Sequence, residues 1–142
     1  MASSYSFLKK MAEESGLRKS NLIMPLIVDE SSSNSSYLMT TSLDLLENKV
    51  QKVFDLGIKK FMLYGIPKVR DAEASEAWNP KGVVQSAVAR IRNNFGHKVE
   101  VYTDVCVCQY NLSGQCGTLN SSGTEIDNDT SLKGIKTIAL SH

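Results

Sequence analysis

Three stretches of the chain are apolar almost without a break, and each is followed by one whose apolar positions recur every three or four residues. The first run, Leu22-Ile23-Met24-Pro25-Leu26-Ile27-Val28, has the pattern a strand buried on both faces requires. A serine-rich polar linker without periodicity, 29–36, follows it. Beyond the linker, Leu43, Leu46, Val50, Val53 and Phe54 are spaced as one buried helix face. Thr41 followed by Asp44 resembles a capping signal for that helix, and Gly57 is its expected left-handed stop. The second run, Lys60 to Ile66, breaks at Pro67. A charged loop, 68–76, leads to Asn79-Pro80, which reads as a cap with proline at the first helical position. Val83, Val84, Ala87, Val88 and Ile91 form the next buried face, and Gly96 lies just past it. The third strand is expected over Val99 to Val105. After a long polar loop, Asp129 or Thr130 could cap a last helix through Leu132, Ile135, Ile138 and Ala139.

Strand onsets near positions 23, 60 and 99 imply parallel strands joined by right-handed helical crossovers. The fold class is therefore α/β, and the period alone does not separate an open doubly wound sheet from a barrel. No glycine-rich phosphate loop follows the first strand, which argues against a dinucleotide or P-loop domain. A (β/α)8 barrel takes about 250 residues, so three units cannot close one. The last helix is still in its apolar pattern at Leu140, which favours a fragment over a small open-sheet protein. Three units leave an outer strand edge unpaired and one sheet face uncovered, so association is expected.

Composition narrows the function classes. The chain has 142 residues, 42% of them apolar, with 16 basic against 15 acidic side chains, and no basic stripe that would point to nucleic acid or to a membrane surface. Its longest apolar runs, such as Phe61-Met62-Leu63-Tyr64, are too short to span a bilayer, and Met1 to Tyr5 lacks the order of a secretory signal. A cytosolic protein is expected. All three cysteines lie between Cys106 and Cys116. That odd cluster is a poor disulfide framework, and thiol clusters of this kind in a reducing compartment more often bind metal or do chemistry.

The segment that carries them reads Thr103-Asp104-Val105-Cys106-Val107-Cys108-Gln109-Tyr110-Asn111-Leu112-Ser113-Gly114-Gln115-Cys116-Gly117. Strand side chains alternate, so Asp104, Cys106 and, if the strand runs on, Cys108 point to one side. In a parallel barrel this is the carboxyl-terminal mouth, where active sites sit. Gly114 and Gly117 let the loop turn back and return the third thiol. Three thiolates are a soft, high-affinity ligand set for Zn²⁺, with a fourth position open to water or substrate. Such a centre carries a net charge of about −1, which suits orienting a substrate group better than generating hydroxide. The plainer alternative makes the cysteines small buried hydrophobes and Asp104 a loop-capping carboxylate. A Cys106–Cys108 disulfide would be strained. His97 reads as a solvated turn residue, His142 as a chain end without ligand spacing, Lys59 and Lys60 as solvated, and Trp78 as a packing residue.

Thr-Asp-Val-Cys-x-Cys-x-Tyr followed by Gly-x-Cys-Gly resembles the metal-binding segment of zinc-dependent porphobilinogen synthases (5-aminolevulinate dehydratases). Asn21 to Val28, Gly57-Ile58-Lys59, Tyr64-Gly65-Ile66-Pro67, Asn79-Pro80-x-Gly82-x-Val84-Gln85 and Ile126 to Asp129 agree in order and spacing. The resemblance implies an N-terminal arm, 1–20, followed by the first three strand-helix units of a (β/α)8 barrel, 21–142, in a chain that assembles as a homo-octamer. It implies condensation of two 5-aminolevulinate molecules to porphobilinogen with loss of two waters. It also implies zinc held by Cys106, Cys108 and Cys116 beside an active-site carboxylate, Asp104. The family's two Schiff-base lysines would lie on later strands, so these residues alone are expected to be inactive.

Three segments depart from the family pattern. Tyr37 to Thr41 replaces Met-Pro-Gly-x-x-Arg, Arg70-Asp71-Ala72-Glu73-Ala74-Ser75 replaces Lys-Asp-x-x-Gly-Ser, and Ser113-Gly114-Gln115 replaces His-Gly-His. They fit a divergent enzyme, or alternatively a non-catalytic zinc-binding copy that associates with intact subunits.

Overall fold

The computed structural model describes residues 3–31 and 39–142, so most of the serine-rich linker lies outside the described residues. A helix that the apolar pattern does not announce, α1 (Ser3–Glu14), opens the chain. Between 6 and 22 every side chain is exposed except the half-buried Ala12.

Strands β1 (Ile23–Asp29), β3 (Lys60–Ile66) and β4 (Glu100–Thr103) are parallel. A two-residue strand, β2 (Thr40–Thr41), lies outside β1, giving the order β2-β1-β3-β4. The register pairs Leu26 with Leu63, Val28 with Gly65 and Phe61 with Val101, so these residues share one face. That face packs with Leu46, Val50 and Val53 of α2 (Leu46–Asp55) and with Val83, Val84, Ala87 and Ile91 of α3 (Val83–Phe95) into one core. Leu26, Phe61 and Leu63 have no exposed surface, and each such side chain contributes about 1.5–3 kcal/mol of burial.

Several expectations shift. β1 is fully buried on one face only; on the other, Pro25 and Ile27 are half-buried and Ile23 is 43% exposed. Thr41 is not a helix cap. It pairs with Val28 in β2, a strand fastened by the Ile27 N–H to the Met39 carbonyl at 2.7 Å, and a 3-10 turn, Leu43–Leu45, precedes α2. Asn79-Pro80 forms a turn closed by the Gly82 N–H on the Asn79 carbonyl (2.7 Å), and α3 starts from Gly82 instead. The last helix, α4 (Asn128–Ser141), is capped by Asp127, whose carboxylate accepts from the Thr130 N–H at 3.0 Å. Of its expected face only Ile138 is fully buried, and Leu132 is 54% exposed. Among the described residues no helix is long and apolar enough to cross a membrane.

Candidate metal centre

β4 stops at Thr103, two residues short of the expected end. The Asp104 N–H still donates to the Leu63 carbonyl at 3.1 Å, so Asp104 is held against the middle of β3. Beyond it strand alternation no longer operates. The Tyr110 and Asn111 N–H groups both donate to the Val107 carbonyl, at 2.9 and 3.0 Å, and this turn folds 107–111 back on itself. Cys106 and Cys108 Sγ then lie 3.3 Å apart, and the three cysteine Sγ atoms all lie within 4.8 Å of one another. A turn, not alternation, makes the cluster. Gly114 has a φ of 69°, the left-handed conformation expected where the loop reverses. Gly117 serves close packing instead: a Cβ there would stand 2.6 Å from Ile126 Cγ2 and 2.8 Å from Ser131 Oγ.

All three thiols are free; Cys106 and Cys108 are half-buried and Cys116 is exposed. Burial first, then the neighbouring Cys106 and Cys116 thiols, push the Cys108 thiol up to about 12. Three packed thiolates repel one another unless a cation sits among them. The donor set therefore suits a soft divalent metal, whose binding must displace protons.

Sequence reasoning missed three polar residues around this cluster. Gln109 donates from Nε2 to Asp104 Oδ2 (3.0 Å) and accepts from Cys108 Sγ (3.3 Å), so one carboxamide joins the thiols to the carboxylate. His142 is no loose chain end. Its Nδ1 lies 3.0 Å from Thr103 Oγ1, and its Nε2 is buried without a hydrogen-bond partner among the described residues. Burial lowers the pKa of that ring, against the raising charge of Asp104. Tyr110 is buried, and burial followed by the Asp104 and Glu30 charges raises its hydroxyl above its ordinary value. His97 is exposed and stands apart, as expected.

The loop is tied from behind by the segment after β3. Asp71 pairs with Asn111 as a parallel bridge through the Asp71 N–H on the Tyr110 carbonyl (3.3 Å) and the Leu112 N–H on the Asp71 carbonyl (3.2 Å). The Asp71 carboxylate accepts from the Ser75 hydroxyl and from the Ser75 N–H at 2.9 Å, bonds that hold its carboxyl below the ordinary value. Ala74 lies inside this turn with a φ of 59°, the left-handed region, at the position where the resembled loop carries glycine. An L-residue pays about 1–2 kcal/mol there. Ala74→Gly is therefore expected to leave stability unchanged or to raise it. Ala87→Gly, in the interior of α3, should lower it by about 1 kcal/mol; paired thermal melts compare the two, and equal losses would remove the strain from the account.

Parallel strands with a thiol cluster and a carboxylate just past the carboxyl end of β4 define an α/β protein with a candidate metal centre at that edge of its sheet. The family model described as delta-aminolevulinic acid dehydratase matches residues 2–142, and the chain belongs to that family. A delta-aminolevulinic acid dehydratase of Ruminiclostridium josui is 32% identical over 95% of this chain and 67% of its own. That of Archaeoglobus fulgidus is 34% identical over 95% of this chain and 43% of its own. A solved structure of the Toxoplasma gondii enzyme (porphobilinogen synthase), in complex with the reaction product porphobilinogen, superposes with a TM-score of 0.77. It is 25% identical, over 99% of this chain and 43% of that one. The chain thus spans less than half the length of the second and third of these proteins, and its fold is the first part of a (β/α)8 barrel.

Proposed function

We propose that these residues form the metal-bearing part of a porphobilinogen synthase, which condenses two molecules of 5-aminolevulinate to porphobilinogen with release of two waters. The observation that carries this reading is the convergence of three Sγ atoms within 4.8 Å at the end of β4, beside Asp104, in a chain of this family. Zinc fits the donor set: tetrahedral Zn–S bonds of about 2.3 Å place sulfurs roughly 3.8 Å apart, close to the separations seen. Cys106, Cys108 and Cys116 would hold it, and the bound metal would supply a Lewis-acid position for a substrate group. Asp104, oriented by Gln109, is placed to bind the substrate amine or to take a proton from it.

The Schiff-base lysines belong to the part of the barrel that the relatives carry in their remaining length. Residues 1–20 act as an arm in a homo-oligomer, an octamer in the full-length family, and the exposure of Phe7, Leu8 and Met11, each above half, supports this. Free thiols in a metal cluster support a reducing cytoplasmic setting.

A chimera tests the proposal. With this chain in place of the matching segment of the Archaeoglobus fulgidus relative, zinc-dependent formation of Ehrlich-positive porphobilinogen is expected, while the 142-residue chain alone should give none. A folded, zinc-loaded chimera without turnover would favour the non-catalytic zinc-binding copy.

A further inference from the structure

We infer that Asn111 is the residue that positions the third thiol: its buried carboxamide closes the 111–115 turn that delivers Cys116 to Cys106 and Cys108. The inference rests on the metal-site reading above and adds a residue to it. Asn111 is 4% exposed, whereas every residue from Leu112 to Cys116 is exposed. No apolar burial therefore holds the turn.

Its order comes chiefly from one buried side chain; the exposed Ser113 Oγ adds a single bond, accepted from the Gln115 N–H at 3.2 Å. Asn111 Nδ2 donates to the Gln115 carbonyl at 2.8 Å, the residue bonded to Cys116. Its Oδ1 accepts from the Gly114 N–H at 2.7 Å and from the Ser113 hydroxyl at 3.1 Å, which uses both acceptor sites. The Asn111 backbone is itself fixed, through its own N–H to the Val107 carbonyl and through the bridge to Asp71. A rigid anchor thus carries the one group that closes a loop otherwise held by solvent-exposed bonds. Ser113-Gly114-Gln115 lacks the histidines of the resembled segment, and the Asn111 carboxamide is the polar support the chain has in their place.

Removing an outer support of a metal ligand typically costs 10–100-fold in affinity. The reduced 142-residue protein, its Asn111→Ala variant and its Asn111→Asp variant are compared by three readouts: Zn²⁺ affinity in competition with a chelator, Co²⁺ thiolate charge-transfer intensity, and alkylation of each cysteine in the zinc-loaded state. Asn111→Ala should bind zinc about 10–100-fold more weakly, lose about a third of the charge-transfer intensity, and expose Cys116 to alkylation while Cys106 and Cys108 stay protected. Asn111→Asp keeps the two accepted bonds but sets a carboxylate oxygen against the Gln115 carbonyl, so a shift in the same direction is expected. It decides the matter should the alanine variant fail to fold. Wild-type affinity and Cys116 protection in both folded variants would overturn the inference and leave the metal site standing. A wild-type chain that binds neither metal would overturn both.

Discussion

Cys108→Ser is expected to lower zinc affinity by about two to three orders of magnitude. Structural zinc sites bind with roughly 10–16 kcal/mol over four ligands, so one strong ligand is worth about 3–4 kcal/mol. Serine offers a hard, normally protonated oxygen in place of the thiolate. Cys108 sits at the centre of the cluster, 3.3 Å from Cys106 and bonded to Gln109, so no other side chain takes its place without moving the turn. Its thiol, pushed up to about 12 in the metal-free protein, is protonated at neutral pH. Metal binding must release that proton, and affinity should fall as pH falls. Chelator competition across pH measures both effects. Replacement of the exposed His97 serves as the control and should change neither.

Gly65→Ala should be strongly destabilising, although it adds only one methyl group. A Cβ on Gly65 would collide with the Tyr110 hydroxyl and stand 2.6 Å from Val83 Cγ1 and 2.7 Å from Val84 Cγ2. Two of these neighbours belong to the first turn of α3 and the third to the thiol loop, so none can give way without moving an element. Overpacking of this kind costs about 1–3 kcal/mol, and three simultaneous contacts place Gly65→Ala toward the upper end. Tyr110→Phe in the same chain removes the closest atom, so the double variant should recover part of the loss, a non-additivity that thermal melts of the four-member cycle detect. Additive losses would mean that Tyr110 does not rest on the strand.

What could be read from the amino acids divides along physical lines. Strands near 23, 60 and 99 and the α3 face were legible because burial imposes a period, and Leu26, Phe61, Leu63, Ala87 and Ile91 are indeed fully buried. The α4 face was read wrongly for the same reason: periodic Leu132, Ile135 and Ala139 find too little to pack against among the described residues. The caps failed at Thr41 and Asn79 because each residue has a second use: the Thr41 backbone pairs in β2, and Asn79 Oδ1 accepts from the Lys81 N–H in a turn. The cysteines announced themselves by residue type and spacing. Gln109, Asn111, Asp71 and His142 did not, because a hydrogen-bonding side chain has no periodicity and declares its partner only once the loop has folded. Ala74 could have been found, since a family glycine replaced by alanine marks a left-handed position.

The central claim is that Cys106, Cys108 and Cys116 together hold one zinc ion with a fourth position free. Zinc K-edge X-ray absorption on the reduced, zinc-loaded chain tests it most directly. Three sulfurs at about 2.3 Å and one oxygen or nitrogen near 2.0 Å are the expected shell; a shell with no sulfur, or with only one, would contradict the account.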